Sequence, residues 1–301
     1  TLILTLWACP NHKKYRPRIS NVAMVFRATS TIGSANVIYQ LSGNIHPIVL
    51  GKVLNEEAVA IFDKSAAILN IINMAFINAI QSVLAPYFAL IKKDAGALKS
   101  TYFKINNYTA VVAWPFMIYA SLHADLIVRT LFGDQWLAAV PLVPFACIGF
   151  AIVIIGRFFN EIAIAIGLES KVFKINLLMF VTKLFVILYF SQFGLLAFTQ
   201  ALIFQSVVRV CIVLYYLSKY ADIKVSEVFT SLVPSFYVSV VVAIPAVFFF
   251  AFKNLSSNIL VVLIHSFVVL IVWILSLKLC KHELYNEVKP KLIVLKSKIL
   301  K

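Results

Sequence analysis

The chain has 301 residues, of which 62% are hydrophobic and 13% are charged, and its formal net charge is +15. Ordinary soluble domains are about 45–50% apolar and about 25% charged, so this composition excludes a soluble enzyme domain. The apolar residues occur in runs of about 20 or more that do not alternate with polar ones, which predicts membrane-spanning helices rather than barrel strands. The predicted fold class is therefore all-α, a polytopic membrane protein.

About eight transmembrane helices are predicted after a truncated one. Residues 1–9 have the composition of a helix end and begin within an apolar run, so we expect the chain to be a fragment of a longer protein. The eight predicted helices, named A to H, are Asn21–Ile45, Ala58–Ala85, Ile105–Leu122, Ala138–Ile166, Phe173–Phe190, Leu195–Leu217, Val228–Phe252 and Asn258–Leu277.

Basic residues are distributed unequally between the loops that join these helices. One set of alternate loops holds little beyond Lys52, Arg129 and Lys253, whereas the other set holds most of the lysines and arginines. By the positive-inside rule the second set is cytoplasmic, and this alternation supports the helix count. The cytoplasmic set comprises Lys13, Lys14, Arg16, Arg18, Lys92, Lys93, Lys99, Lys104, Lys171, Lys174, Lys219, Lys224 and the tail from Lys278 to Lys301.

Four regions are predicted along the chain. Residues 1–20 form the truncated helix end and a basic cytoplasmic linker, and residues 21–217 form a six-helix lobe. Residues 218–277 form an additional helix pair, and residues 278–301 a basic cytoplasmic tail. The tail mixes lysines with apolar residues, so it either lies along the membrane surface or remains a solvated tail.

Cationic side chains within the predicted spans are the first candidates for function, because a charge at the bilayer centre costs roughly 2.5–3.5 kcal/mol on insertion scales. Glu161 lies four residues after Arg157, which predicts that the two share one face of helix D. They form either a self-neutralising pair that fixes packing or a cavity wall at which Arg157 meets an anionic substrate. The cations within spans are Arg27, Lys64, Arg157, Lys183 and Arg209.

Carboxamides follow one face of helix A and one face of helix B. Interhelical hydrogen bonding is one explanation, and a water-filled cavity is the other. Combined with the cations, the two faces favour a hydrated, electropositive cavity that binds a polar, negatively charged headgroup. The faces comprise Thr29, Gly33, Asn36, Gln40 and Asn44 on helix A, and Asn70, Asn73, Asn78 and Gln81 on helix B. The candidate substrate-binding residues are Arg27, Asn36, Gln40, Asn70, Asn73, Arg157, Glu161, Lys183 and Arg209.

The sequence contains no pattern typical of several other kinds of functional site. The four cysteines form no CxxC, and the five histidines are scattered without metal-ligand spacing. There is no GxxxxGK[ST] phosphate loop and no nucleophile–base constellation. The sequence therefore predicts no cofactor, no metal and no enzymatic activity. Because topology explains the positive charge, no nucleic-acid partner is expected.

Four short segments resemble motifs of one transporter family. Residues 131–142 (LFGDQWLAAVPL) resemble a segment LxGxxWxxAxPxL, and residues 48–62 resemble the turn IGxxLGxxxxGxY. Residues 165–171 resemble AxGRxxxxxK, and residues 193–197 resemble FGLxGxA. In order and spacing they resemble bacterial polysaccharide (O-antigen or exopolysaccharide) flippases of the multidrug/oligosaccharidyl-lipid/polysaccharide flippase superfamily. The resemblance extends over almost the whole chain.

This resemblance implies two six-helix lobes around a central cavity, with helices A to F as the C-terminal lobe. It implies translocation of an undecaprenyl-pyrophosphate-linked oligosaccharide across the bacterial inner membrane. The implied partners are that lipid-linked oligosaccharide, membrane lipids, the missing N-terminal lobe and possibly a glycan polymerase. The sequence departs from the family pattern at Asn44, where many relatives have aspartate, at Leu168 in place of arginine, and at Phe198 and Thr199. These departures concern ion coupling and substrate identity.

Three other functions remain open. A multidrug antiporter of the same superfamily would need carboxylates for cationic drugs, whereas the spans hold mainly cations. A membrane-embedded glycosyltransferase or polymerase would need a catalytic carboxylate or a large outer loop, and the predicted outer loops are short. A structural assembly module without transport is the third.

Overall fold

The computed structural model describes residues 22–251, 259–285 and 287, and this part of the chain is helical with short turns. The predicted all-α, polytopic class is confirmed. The α-helices are α1 (Val22–Val53), α2 (Glu56–Ile72), α3 (Asn78–Ile91), α4 (Ala95–Leu122), α5 (Ala124–Phe132), α6 (Val143–Ile154), α7 (Phe159–Ala165), α8 (Glu169–Ser191), α9 (Leu195–Tyr220), α10 (Val225–Ala251) and α11 (Ile259–Leu279). A π-helical turn (Asn73–Ile77) links α2 to α3, and a 3₁₀ helix (Asp134–Leu142) precedes α6.

Five segments of the described residues are long and apolar enough to cross a membrane, and a sixth exists if the bent pair α4–α5 counts as one span. The bend between α4 and α5 is 87°. These segments correspond to predicted helices B to G. Predicted helix A forms α1, whose polar face lowers its mean hydropathy, and the apolar part of α11, Ile264–Leu279, is shorter than the others. The linker at residues 1–20 and most of the tail lie outside the described residues.

Local sequence explains several helix boundaries. The side chain of Asn55 accepts a hydrogen bond from the Ala58 amide at 2.7 Å and begins α2, and Asp94 caps α4 in the same way. Gly133 and Gly194 both adopt φ of +93°, a conformation open to glycine and costly for other residues. Both glycines belong to the motifs described above, so their place in the motifs has a backbone cause.

The additional helix pair packs against α4. Trp273 of α11 donates its indole N–H to the Val111 carbonyl of α4 at 2.8 Å. The Ser235 hydroxyl of α10 donates to the Asn107 carbonyl of α4, also at 2.8 Å. At the end predicted to be cytoplasmic, Lys99 of α4 forms an ion pair with Glu227 of α10 at 2.7 Å. Thus α10 and α11 are held by polar contacts along the length of α4.

Predicted helix D is not one continuous helix. Its central part, α6, ends at Ile154, and after a turn the chain resumes as α7 at Phe159. Gly156 lies in this turn against α9, where a Cβ atom would come within 2.7 Å of the Val213 side chain. Arg157 lies in this turn and Glu161 lies in α7, so the two residues do not share the continuous helix that the sequence predicted.

Candidate functional site

A cavity of about 490 Å³ lies between α1, α2, α6, α8 and α9. Lipid would not solvate the polar groups of its lining, so the helices turn these groups toward each other and toward the cavity. Its polar lining consists of carboxamides, two cations, one carboxylate and smaller polar groups: Gln40, Asn44, Asn70, Asn73, Asn176, Gln205, Lys183, Arg209, Asp63, Tyr39, His46, Ser42 and Ser206.

Lys183 joins α8 to α1 at the cavity wall. Its ammonium group donates a hydrogen bond to the Ser42 carbonyl. Pro47 of α1 has no N–H, so the Gly43 carbonyl four residues earlier has no partner in the helix backbone. Lys183 bonds the neighbouring Ser42 carbonyl, so it both lines the cavity and holds α1 in place.

Arg209 of α9 contacts α1 at Tyr39, three residues before Ser42. Its guanidinium carbon lies 6.0 Å from the centroid of the Tyr39 ring. A guanidinium over an aromatic face is stabilised by the negative potential of the ring. Both cavity cations are thus positioned by α1, one by a backbone carbonyl and one by an aromatic side chain.

Arg157 and Glu161 each pair with a carboxamide of predicted helix B, not with each other. The Arg157 guanidinium donates to Asn73 Oδ1 at 3.2 Å, and Glu161 Oε1 accepts from Gln81 Nε2 at 2.9 Å. Asn73 is the first residue of the π-helical turn, and such helix irregularities occur often at functional sites. Arg157 therefore acts on the cavity through Asn73, a lining residue.

The structure brings some of the predicted site residues together and separates others. Asn36 lies on α1 but is exposed and does not line the cavity. Glu161 does not line the cavity and accepts a hydrogen bond from Gln81 of α3. The side chain of Arg27 lies outside the described part of the chain. The predicted residues that line the cavity are Gln40, Asn70, Asn73, Lys183 and Arg209.

Sequence reasoning missed two buried carboxamides, Asn176 on α8 and Gln205 on α9, which are 6% and 8% exposed. The Asn176 amide donates to the Ala35 carbonyl of α1 at 3.5 Å, and the Gln205 amide donates to the Met179 carbonyl at 3.3 Å. Each is a polar residue inside a predicted span, and that was the signal that could have identified it.

Aromatic rings close the wall near the α1–α2 turn. The His46 ring lies 5.4 Å from Phe62 and 5.8 Å from Phe198, and the two phenylalanine rings are 5.2 Å apart, measured between centroids. Val49, Leu50 and Ile187 belong to the same buried cluster. By the predicted topology this end faces the outer side, so the polar cavity is bounded there by apolar packing.

Residues 1–141 match the model of a family described as polysaccharide biosynthesis protein, which is slightly less than half of the chain. A stretch of 109 residues, 36% of the chain, is 27% identical to the teichuronic acid biosynthesis protein TuaB of Bacillus subtilis (strain 168). Both comparisons support a protein of the polysaccharide flippase type. The aligned stretch covers 23% of TuaB, and no solved structure matches the chain.

The family match and the cavity overlap only in part. The match includes α1 to α5 and two of the motif segments, residues 48–62 and 131–142. It therefore includes one side of the cavity, formed by α1 and α2, while α8 and α9 with Lys183 and Arg209 lie beyond residue 141. The chain is a multi-pass membrane protein whose first 141 residues are similar to polysaccharide biosynthesis proteins.

Proposed function

We propose that the protein translocates an undecaprenyl-pyrophosphate-linked oligosaccharide across the bacterial inner membrane for surface polysaccharide biosynthesis. The observation that carries this proposal is the polar cavity among α1, α2, α6, α8 and α9, which holds Lys183 and Arg209 together with carboxamides. The family match to polysaccharide biosynthesis proteins supports the same class of substrate.

The physical task is to move a charged, hydroxylated headgroup through a layer that rejects both. Insertion of a single charge into the bilayer centre costs roughly 2.5–3.5 kcal/mol on insertion scales. A cavity with cations and carboxamides replaces part of the hydration that such a headgroup loses. The chain would then carry its substrate without changing it chemically, by alternating access between this lobe and the N-terminal lobe that the resemblance implies.

The residue roles follow from where the side chains lie. Lys183 and Arg209 would attract the negative headgroup, and the exposed carboxamides Gln40 and Asn70 at the cavity wall would meet its sugars. Arg157 would position Asn73 and add positive potential from behind the wall. Arg27 lies toward the cytoplasmic end of predicted helix A, and we propose that it captures the headgroup on that side.

The test is a headgroup-flipping assay with the full-length protein in proteoliposomes that contain the lipid-linked oligosaccharide. Arg209→Gln and Lys183→Gln are each expected to lower the initial rate at least about tenfold, because each removes charge-assisted hydrogen bonds worth about 1.5–3 kcal/mol. Lys219→Gln is the control, since Lys219 lies at the exposed end of α9 with the Tyr215 hydroxyl as its partner.

Two outcomes would contradict the proposal. If both cavity variants moved the lipid-linked oligosaccharide at the rate of the unmodified protein, the cavity would not be the passage. If the unmodified protein moved no glycan but exported a cationic dye, the protein would instead be a multidrug antiporter, the alternative that the superfamily resemblance left open.

A further inference from the structure

Two polar atoms in the cavity lining are buried and have no hydrogen-bond partner in the described protein: Gln205 Oε1 and His46 Nε2. Gln205 is 8% exposed, so its amide is more than nine-tenths buried. An unpaired buried polar atom costs about 1–3 kcal/mol, and such atoms in native structures call for an explanation. Their position in the cavity lining points to a ligand.

Gln205 Oε1 is a hydrogen-bond acceptor. The nitrogen of the Gln205 amide already donates to the Met179 carbonyl at 3.3 Å, which turns the oxygen away from that contact. His46 Nε2 accepts in one tautomer of the ring and donates in the other.

The buried acceptor of Gln205 discriminates between the parts of the proposed substrate. A diphosphate at neutral pH consists of acceptor oxygens and would leave Gln205 Oε1 unsatisfied. Sugar hydroxyls both donate and accept, so they can satisfy Gln205 Oε1 and His46 Nε2 and also accept from the cavity carboxamides. A site built to bond a hydroxyl rejects a ligand that lacks one, because its own buried groups are then left unpaired.

The other lining groups fit a sugar as well. Lys183 and Arg209 are already engaged by the Ser42 carbonyl and Tyr39, and they keep N–H groups for ring and hydroxyl oxygens. Phe62, Phe145 and Phe150 add apolar surface for the C–H faces of sugar rings. The volume of about 490 Å³ lies within the range of about 300–1,000 Å³ found for small-molecule sites, which suits a short oligosaccharide.

We infer that this cavity binds the sugar rings of the substrate, with sugar hydroxyls donating to Gln205 Oε1 and bonding His46 Nε2, and that the lipid diphosphate lies outside it. The inference rests on the proposed function and deepens it. Lys183 and Arg209 would then attract the negatively charged headgroup, as proposed above, and bond the sugars that occupy the cavity.

The experiment measures binding to the purified full-length protein in lipid nanodiscs by isothermal titration. The probes are the oligosaccharides released by mild acid from the lipid-linked intermediates of the host, and inorganic pyrophosphate. Gln205→Leu and His46→Phe should each weaken oligosaccharide binding about tenfold, because each removes one hydrogen-bonding atom from the cavity lining. His46→Phe keeps a ring between Phe62 and Phe198, so it provides a second variant with conserved packing.

Gln192→Leu is the matched control. It makes the same substitution at the exposed end of α8, where the Gln192 amide contacts only the Leu188 carbonyl, and it should bind the oligosaccharides as the unmodified protein does. Pyrophosphate binding should be the same in Gln205→Leu and His46→Phe as in the unmodified protein. A monodisperse size-exclusion profile for each variant establishes that it folds.

Three results would overturn the inference: no oligosaccharide binding to the unmodified protein, oligosaccharide binding to both variants that equals binding to the unmodified protein, or loss of pyrophosphate binding in the variants. The flipping assay on the same preparations separates this inference from the proposed function. Transport by the unmodified protein with unaltered sugar binding in the variants overturns the inference alone. Sugar binding that depends on Gln205 without any transport overturns the proposed function alone.

Discussion

At the scale of single residues, several polar side chains inside the helices have protein partners on distant segments. His282 is an example outside the spans. It is 1% exposed, its Nδ1 accepts from the Leu284 amide at 3.2 Å, and its Nε2 lies 3.2 Å from the Ser235 hydroxyl of α10. The ring is therefore held neutral, with the proton on Nε2. It connects the end of α11 to the contact between α10 and α4.

Acid should weaken this connection. Burial lowers the pKa of His282 to about 4, from an ordinary value of 6.5. Between these two values the unfolded chain binds the proton and the folded protein does not, so the contribution of His282 is complete above pH 6.5 and is lost as the pH falls toward 4. We expect the Tm in detergent to fall between pH 7 and pH 5, and His282→Phe to reduce this fall. An equal fall in His282→Phe would show that other groups cause it.

At the scale of elements, two irregular segments face each other. The α6–α7 turn places Arg157 opposite Asn73, the first residue of the π-helical turn after α2. The α6–α7 turn also lies close to α9, because Gly156 has no side chain where Val213 approaches. The two irregular segments therefore contribute to the packing of α2, α6 and α9 around the cavity.

Gly156→Ala tests this close approach. The new methyl group would lie 2.7 Å from Val213 Cγ1, closer than atoms can pack, so α9 must move away. We expect a loss of about 1–3 kcal/mol in unfolding free energy, the usual cost of overpacking, measured by reversible unfolding in detergent. Adding Val213→Ala should recover part of the loss. If the two changes were simply additive, the contact would not be the cause.

At the scale of the whole molecule, α1 has a central role in the lobe. It packs along α8, supplies the carbonyl that Lys183 bonds and the ring beneath Arg209, and lines the cavity over residues 39–47. The pair α10 and α11 packs against α4, which does not line the cavity. The cavity and the α10–α11 pair therefore lie in different parts of the described chain.

The predicted topology can be tested by labelling. In a variant without the natural cysteines, Lys52→Cys in the α1–α2 turn should react with a membrane-impermeant maleimide added to intact spheroplasts. Lys93→Cys, in the turn between α3 and α4, should react only after the membrane is opened, because basic loops remain cytoplasmic. The reverse pattern would invert the orientation of the chain. Labelling of both sites in intact spheroplasts would remove one crossing between them.

The sequence by itself determined the class of protein, most helix positions and the flippase resemblance. These depend on local properties: apolar length, the demand that backbone groups pair within a segment, and glycines such as Gly133 and Gly194 at turns with positive φ. On the polar faces predicted for helices A and B, Gln40, Asn44, Asn70 and Asn73 line the cavity, and their binding of substrate stays a prediction.

Only the tertiary structure decided which polar residues share that cavity. It placed Asn176 and Gln205 in the lining and left Asn36 outside it. It also placed Arg157 in a turn of predicted helix D and Glu161 in the helix after that turn. The physical reason is that helix periodicity defines a face but not the neighbour that covers it. The neighbour depends on close approaches between distant segments, such as Gly156 against Val213 and Lys183 against the carbonyls near Pro47.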